Sequence, residues 1–166
     1  VAALLGGFDL NVLLYDPFVQ PDDPIAQQAE LVDLDTLMAR SDVVSVHAPS
    51  LPSTRGMIGS RQLKLMQDGA AFINTARGAL VEEEALLAEL QTGRIHAVID
   101  VTDPEVPPAS SPFFSLPNVF LTPHVAGAIG TERARLGLMA VEEIERFVRG
   151  EPMLYEIEPE LLERLA

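Results

Sequence analysis

The sequence predicts an α/β fold with a doubly wound parallel sheet, and three observations lead there. Apolar runs of strand length alternate with helix-period segments along most of the chain. The runs are continuously apolar, the pattern of strands covered on both faces of a parallel sheet. The segments between them suit crossover helices, and the right-handed crossover rule arranges the whole as a doubly wound sheet.

The elements follow in order. The opening Val1-Ala2-Ala3-Leu4-Leu5-Gly6-Gly7 reads as the last turns of a helix running into a glycine stop. A domain rarely starts partway along a helix, so further sequence is expected ahead of Val1 in a parent protein. Leu10 to Tyr15 reads as a strand, Leu34 to Arg40 as a short helix and Val43 to His47 as a strand. Ser60 to Met66 is a helix capped by Ser60, and Ala70 to Asn74 a strand. Glu82 to Gln91 is a helix on Leu86, Leu87 and Leu90, with Gly93 as its stop. Its Glu82-Glu83-Glu84 run suits the positive end of the helix dipole, a structural role. Ile95 to Asp100 and Val119 to Leu121 complete the strands, and Thr131 to Arg149 is the longest helix. Pro-rich loops run from Asp16 to Pro24 and from Pro104 to Pro117.

Composition removes several classes of function. The 166 residues are 48% hydrophobic and 22% charged, as globular domains are. A formal net charge of −14 repels a phosphate backbone, so nucleic acid is not an expected partner. No run reaches the roughly 18 apolar residues of a membrane span, and no leader-like segment opens the chain. Cysteine is absent, which removes disulfide and thiolate chemistry and suits a cytoplasmic location. The 3 histidines are scattered and match no metal-ligand spacing.

Ligands of an open α/β sheet bind beyond the carboxyl ends of its strands, so the residues after each strand are the ones to inspect. Asp16 ends an early strand, where an acid can accept hydrogen bonds from a ribose; equally, Asp16-Pro17 can be a turn opener. No Gly-x-Gly-x-x-Gly occurs in the sequence to support the first of these. Asn74-Thr75-Ala76-Arg77-Gly78 joins a strand to a helix, and Arg77 has the planar fork that grips a carboxylate. Taken alone, such an arginine is more commonly one half of a surface ion pair. Glu105 and His124 follow successive strands and can form an acid/base pair, although each by itself reads as an ordinary loop residue. His47 reads as a lining residue and His96 as structural.

These blocks in this order resemble the D-isomer-specific 2-hydroxyacid dehydrogenase family: Asp16, Val46-His47-Ala48-Pro49 with Thr54, Asn74 to Gly78, Asp100 with Glu105, and Thr122-Pro123-His124. The resemblance runs from Val1 to about Gly150. It implies a Rossmann-type sheet lacking its first strand and glycine-rich loop, and hydride transfer between NAD(H) and a 2-hydroxy or 2-oxo acid. It assigns Arg77 to the substrate carboxylate, His124 to acid/base work and Glu105 to the support of His124. Asp16 matches the ribose-binding acid. Ala48, Pro49, Thr54, Thr75, Ala76, Asp100 and Gly127 match positions lining the cofactor, together with Arg77 and His124, and Asp100 lies near the carboxamide. Residues 1–150 then form the cofactor domain, and 151–166 begin the return to a substrate domain. A homodimer is implied, and this chain alone is expected to be inactive. Asp16, with no basic residue among Pro17 to Asp23, favours NAD over NADP.

Two other readings remain at this point. One is an NAD-responsive interaction protein on the same scaffold, like the family's corepressors, which keep the same triad. The other is a methyltransferase, which also places an acid after an early strand but gives Arg77, Glu105 and His124 no role.

Overall fold

The structure, a computed structural model, describes residues 1–164. Four strands form its central sheet: β3 (Val43–Val46), β4 (Ala71–Asn74), β5 (His96–Ile99) and β6 (Val119–Leu121), in that spatial order. Every pairing is parallel, with Phe72 opposite Val44 on one side and Ala97 on the other. Chain order equals spatial order here, so all four strands end on the same edge.

Helices fill the connections. They are α2 (Leu34–Arg40), α3 (Ser60–Leu65) and α4 (Glu83–Gln91), after a first short helix α1 (Ala2–Leu5). Asp33 caps α2, accepting the Thr36 N–H at 2.8 Å and the Thr36 hydroxyl at 2.7 Å. These bonds hold the Asp33 carboxyl below its usual range. Met38, Leu63, Leu86 and Leu90 from the helices pack with Val44, Val46, Phe72, Ala97 and Ile99 from the sheet to make the core.

The opposite face of the sheet is more open than the continuously apolar runs imply. Val43 and Phe120 are exposed, and burial in β3 alternates along the strand. The long helix α5 (Thr131–Arg149) does not cover that face, because none of its residues is buried.

Other details depart from expectation. The early strand shrinks to β1 (Leu13–Leu14), which pairs in parallel with an unforeseen β2 (Glu30–Leu31) as a separate two-stranded sheet. Only this short span has a partner, since the ladder closes with Glu30 N–H to the Val12 carbonyl and Val32 N–H to that of Leu14. Gly59, not Ser60, is the cap of α3, and the Gln62 side chain accepts the Gly59 N–H at 3.3 Å. Gly6 follows α1 in right-handed conformation and gives no left-handed stop, whereas Gly93, with φ 75°, does end α4's turn. The expected closing stretch is described as far as Arg164, and residues 165 and 166 lie outside the described residues.

Candidate active site

The parallel register gathers four loops at one edge of the sheet, and they carry most of the residues singled out above. Backbone hydrogen bonds continue past the strands: Asp100 N–H to the Asn74 carbonyl, Thr122 N–H to that of Ile99, and His124 N–H to that of Asp100. The loops after β4, β5 and β6 therefore leave the sheet as one connected layer.

His124 and Glu105 meet there, with imidazole Nδ1 2.7 Å from carboxylate Oε1. This contact directs Nδ1–H at Glu105 and presents the other ring nitrogen, Nε2, for proton exchange. Both side chains are exposed, so the pair adds little to stability. Its value lies in fixing a tautomer.

The conformation beneath that contact is unusual. His124 has φ 53°, the left-handed region that non-glycine residues seldom occupy. Buried Asp100 holds it. Its carboxylate accepts the Val125 and Ala126 N–H groups, both at 2.8 Å, and the Thr122 hydroxyl. Burial works against the charged form, but these three bonds, aided by the nearby His124, outweigh it and bring the Asp100 carboxyl below its ordinary value. The expected cofactor-lining residue is thus also the clamp on the loop of His124.

A second clamp serves Arg77. Buried Asn74 donates from Nδ2 to the Arg77 carbonyl at 2.9 Å and accepts the Ala76 N–H at 3.1 Å. The loop is pinned at both ends of a buried amide. Among the described residues, the exposed Arg77 guanidinium donates only to the Ala76 carbonyl, at 2.7 Å, and forms no ion pair with the acids Glu82 to Glu84. That leaves most of its donors facing solvent, as a carboxylate site requires.

The remaining positions are placed as follows. Thr54 donates to the Pro49 carbonyl at 2.6 Å and accepts the Leu51 N–H at 2.9 Å, shaping the loop of Ala48 and Pro49. Ala48 and Ala76 pack against the core, Thr75 is half-buried, and Gly127 is exposed in the loop before α5. Asp16 ends the separate sheet, where Oδ1 accepts the Phe18 N–H at 2.8 Å. That is the turn the Asp-Pro pair suggests, on an exposed carboxylate. His47 bonds Ser45 at 2.9 Å, and His96 is exposed rather than packed into the sheet. Sequence reasoning placed Asn74 and Thr122 in its diagnostic blocks but gave neither a clamping role. The signal for Asn74 was available: an amide ending a buried apolar strand needs partners.

Residues 1–126 match the family described as D-isomer specific 2-hydroxyacid dehydrogenase, NAD binding domain. The chain belongs to this family. It is 38% identical over 154 residues to a D-3-phosphoglycerate dehydrogenase of Archaeoglobus fulgidus, covering 92% of this chain and 29% of that protein. It is 42% identical over 146 residues to a glycerate dehydrogenase of Methylorubrum extorquens, covering 86% and 44% respectively. Among solved structures, a D-isomer specific 2-hydroxyacid dehydrogenase from Xanthobacter autotrophicus in complex with NADPH and MES superposes with a TM-score of 0.78 at 33% identity. That superposition covers 96% of this chain and 50% of the other. The chain therefore spans between 29% and 50% of the length of these relatives. Among the described residues no helix is long and apolar enough to cross a membrane, and no acid or histidine cluster could hold a metal ion.

Proposed function

We propose that this chain carries the cofactor domain and the reacting side chains of an oxidoreductase that interconverts 2-oxo and D-2-hydroxy acids. The observation that carries the reading is the 2.7 Å contact between His124 Nδ1 and Glu105, on loops of the same layer as Arg77. Residues 1–150 form the cofactor domain, and residues 151–166 begin the return to a substrate domain.

The donor set fits the nicotinamide and ribose parts of NAD. Asp16 offers an exposed carboxylate for ribose hydroxyls, and the layer of Ala48, Pro49, Thr54, Thr75, Ala76 and Gly127 offers small, neutral walls. When bound, NADH supplies the hydride. In reduction, Arg77 binds the substrate carboxylate through its fork and aligns the oxo carbon. His124 delivers a proton from Nε2 to the developing alkoxide, while Glu105 steadies the imidazolium. Asp100 keeps the His124 loop in place. NAD is preferred over NADP because Asp16 repels a 2′-phosphate and no basic residue follows among Pro17 to Asp23. The setting proposed is cytoplasmic and the assembly a homodimer. Alone, the 166 residues are expected to be inactive, since Arg77 and His124 face open solvent.

Steady-state kinetics of the whole protein on a panel of short 2-oxo acids test this. His124→Asn should lower turnover by roughly 10²–10⁴-fold. Arg77→Ala should in addition raise KM for the acid. Near-normal turnover without His124 overturns the assignment. Efficiency with NADPH equal to that with NADH overturns the reading of Asp16.

A further inference from the structure

We infer that Gly78 is a positioning residue, the joint that sets the loop of Arg77 against the loop of Glu105; the inference rests on the acid/base reading of His124 and Glu105. A Cβ built on Gly78 would stand 2.1 Å from the Thr102 carbonyl carbon, 2.2 Å from its oxygen and 2.6 Å from the Asp103 nitrogen. Contacts under 3.0 Å are essentially never seen for real Cβ atoms. The obstructing atoms are all backbone, so no rotamer change relieves them. Nor is the glycine needed for its dihedral freedom, since Gly78 is not among the residues with positive φ. What the position requires is the absence of a side chain, so that two backbones can touch.

The two segments that touch there are the ones that carry the reacting groups. Gly78 directly follows Arg77, whose carbonyl is held by Asn74. Across the contact, the Thr102 hydroxyl donates to the Pro104 carbonyl at 2.7 Å and lies 3.1 Å from that of Glu105, folding Thr102 to Glu105 into one turn. Two further ties hold Asp103, one at its backbone and one at its side chain. Glu83 Oε2 accepts the Asp103 N–H at 3.4 Å, and Arg55 Nη2 lies 2.9 Å from Asp103 Oδ2. Glu105 at the end of this turn reaches His124, while His124 itself is fixed separately by Asp100. A side chain at 78 therefore forces the Arg77 loop and the Thr102–Glu105 turn apart, while the Asp100 carboxylate continues to hold the His124 loop. The consequence is local: the dyad opens, and the spacing between carboxylate grip and proton donor changes.

Ring-nitrogen NMR of the 3 histidines reads this directly, with His47 and His96 as internal controls. In the wild-type protein the neutral His124 ring should carry its proton on Nδ1, toward Glu105. Glu105→Ala, which removes the acceptor, defines the signature of a lost dyad as a shift toward the Nε2–H form. Gly78→Ala should reproduce that shift while leaving the Val125 and Ala126 amide signals and both control histidines unchanged. If Gly78→Ala does not fold, Glu83→Ala decides, because it frees the same Asp103 peptide from the other side and should shift His124 in the same direction. His124 keeping its wild-type tautomer in Gly78→Ala, or in Glu83→Ala where that variant decides, overturns the role of Gly78. Wild-type signals in Glu105→Ala would overturn the dyad itself, and with it both readings.

Discussion

At the scale of single residues, Asp100 shows how a buried charge can hold a neighbouring residue in an uncommon backbone conformation. Holding a histidine at φ 53° costs on the order of 1–3 kcal/mol, and the hydrogen bonds from Thr122, Val125 and Ala126 are what oppose that cost. Asp100→Asn keeps the shape but turns one acceptor into an NH2 group facing a backbone N–H. Thermal or denaturant unfolding should register a loss of about 1–3 kcal/mol at neutral pH. The pH dependence has a defined sign. Burial opposes the charged form, yet the hydrogen bonds bring the folded carboxyl below its unfolded value. Its stabilising contribution is therefore complete above the ordinary carboxylate range and fades as pH falls through the depressed folded value. The gap between wild type and Asp100→Asn should narrow below about pH 4. A gap that is constant or widens in acid would show that charge at Asp100 is not what holds the loop.

Among the elements, Arg94 ties the end of α4 to the end of α3. Its Nε lies 2.7 Å from Glu89, a nearly buried acid on α4, and Nη2 donates to the Leu63 carbonyl at 2.9 Å. Nη1 donates to the Met66 carbonyl, so one guanidinium satisfies two backbone acceptors at the close of α3. Arg94→Met would leave Glu89 buried opposite an apolar chain, a loss of about 3–5 kcal/mol in unfolding free energy. Adding Glu89→Leu should return part of it, and a double variant no better than the single one would refute the pairing. This knot also marks what the sequence could and could not reveal. Continuous apolar runs such as Ala70 to Asn74 announced the strands of the central sheet, and the blocks around Arg77, Glu105 and His124 pointed to the candidate site. The strand β2 stayed hidden because Glu30 and Leu31 have no pattern of their own and owe their state to a partner far along the chain. Asp100 and Gly78 were legible as residue types but not as clamp and joint. Those roles depend on which backbone atoms come within reach, and no spacing rule encodes that.

For the molecule as a whole, the consequence lies in how unevenly stability is spread. The sheet and helices α2 to α4 share one core, with Phe72, Met38 and Leu63 fully buried. Helix α5 has 19 residues and buries none of them, although Leu136, Val141, Ile144 and Phe147 are apolar. A helix in water draws most of its stability from packing, and without it only local terms remain. Those terms are few: ion pairs Glu132–Arg135, Glu143–Arg146 and Glu145–Arg149, the Leu154 and Tyr155 N–H groups donating to Glu143, and a left-handed Gly150 closing the end. Local pairs of this kind contribute about 0.2–0.5 kcal/mol each, too little to protect about five turns. Hydrogen exchange on these 166 residues should therefore divide the chain in two. Amides of β4 and β5 should exchange only with global unfolding, whereas those of α5 should exchange through local opening, orders of magnitude faster. Removing residues 131–166 should then leave the melting temperature of the remaining body nearly unchanged. Protection in α5 equal to that in β4, or a large fall in melting temperature on its removal, would show that α5 is packed on the sheet in solution.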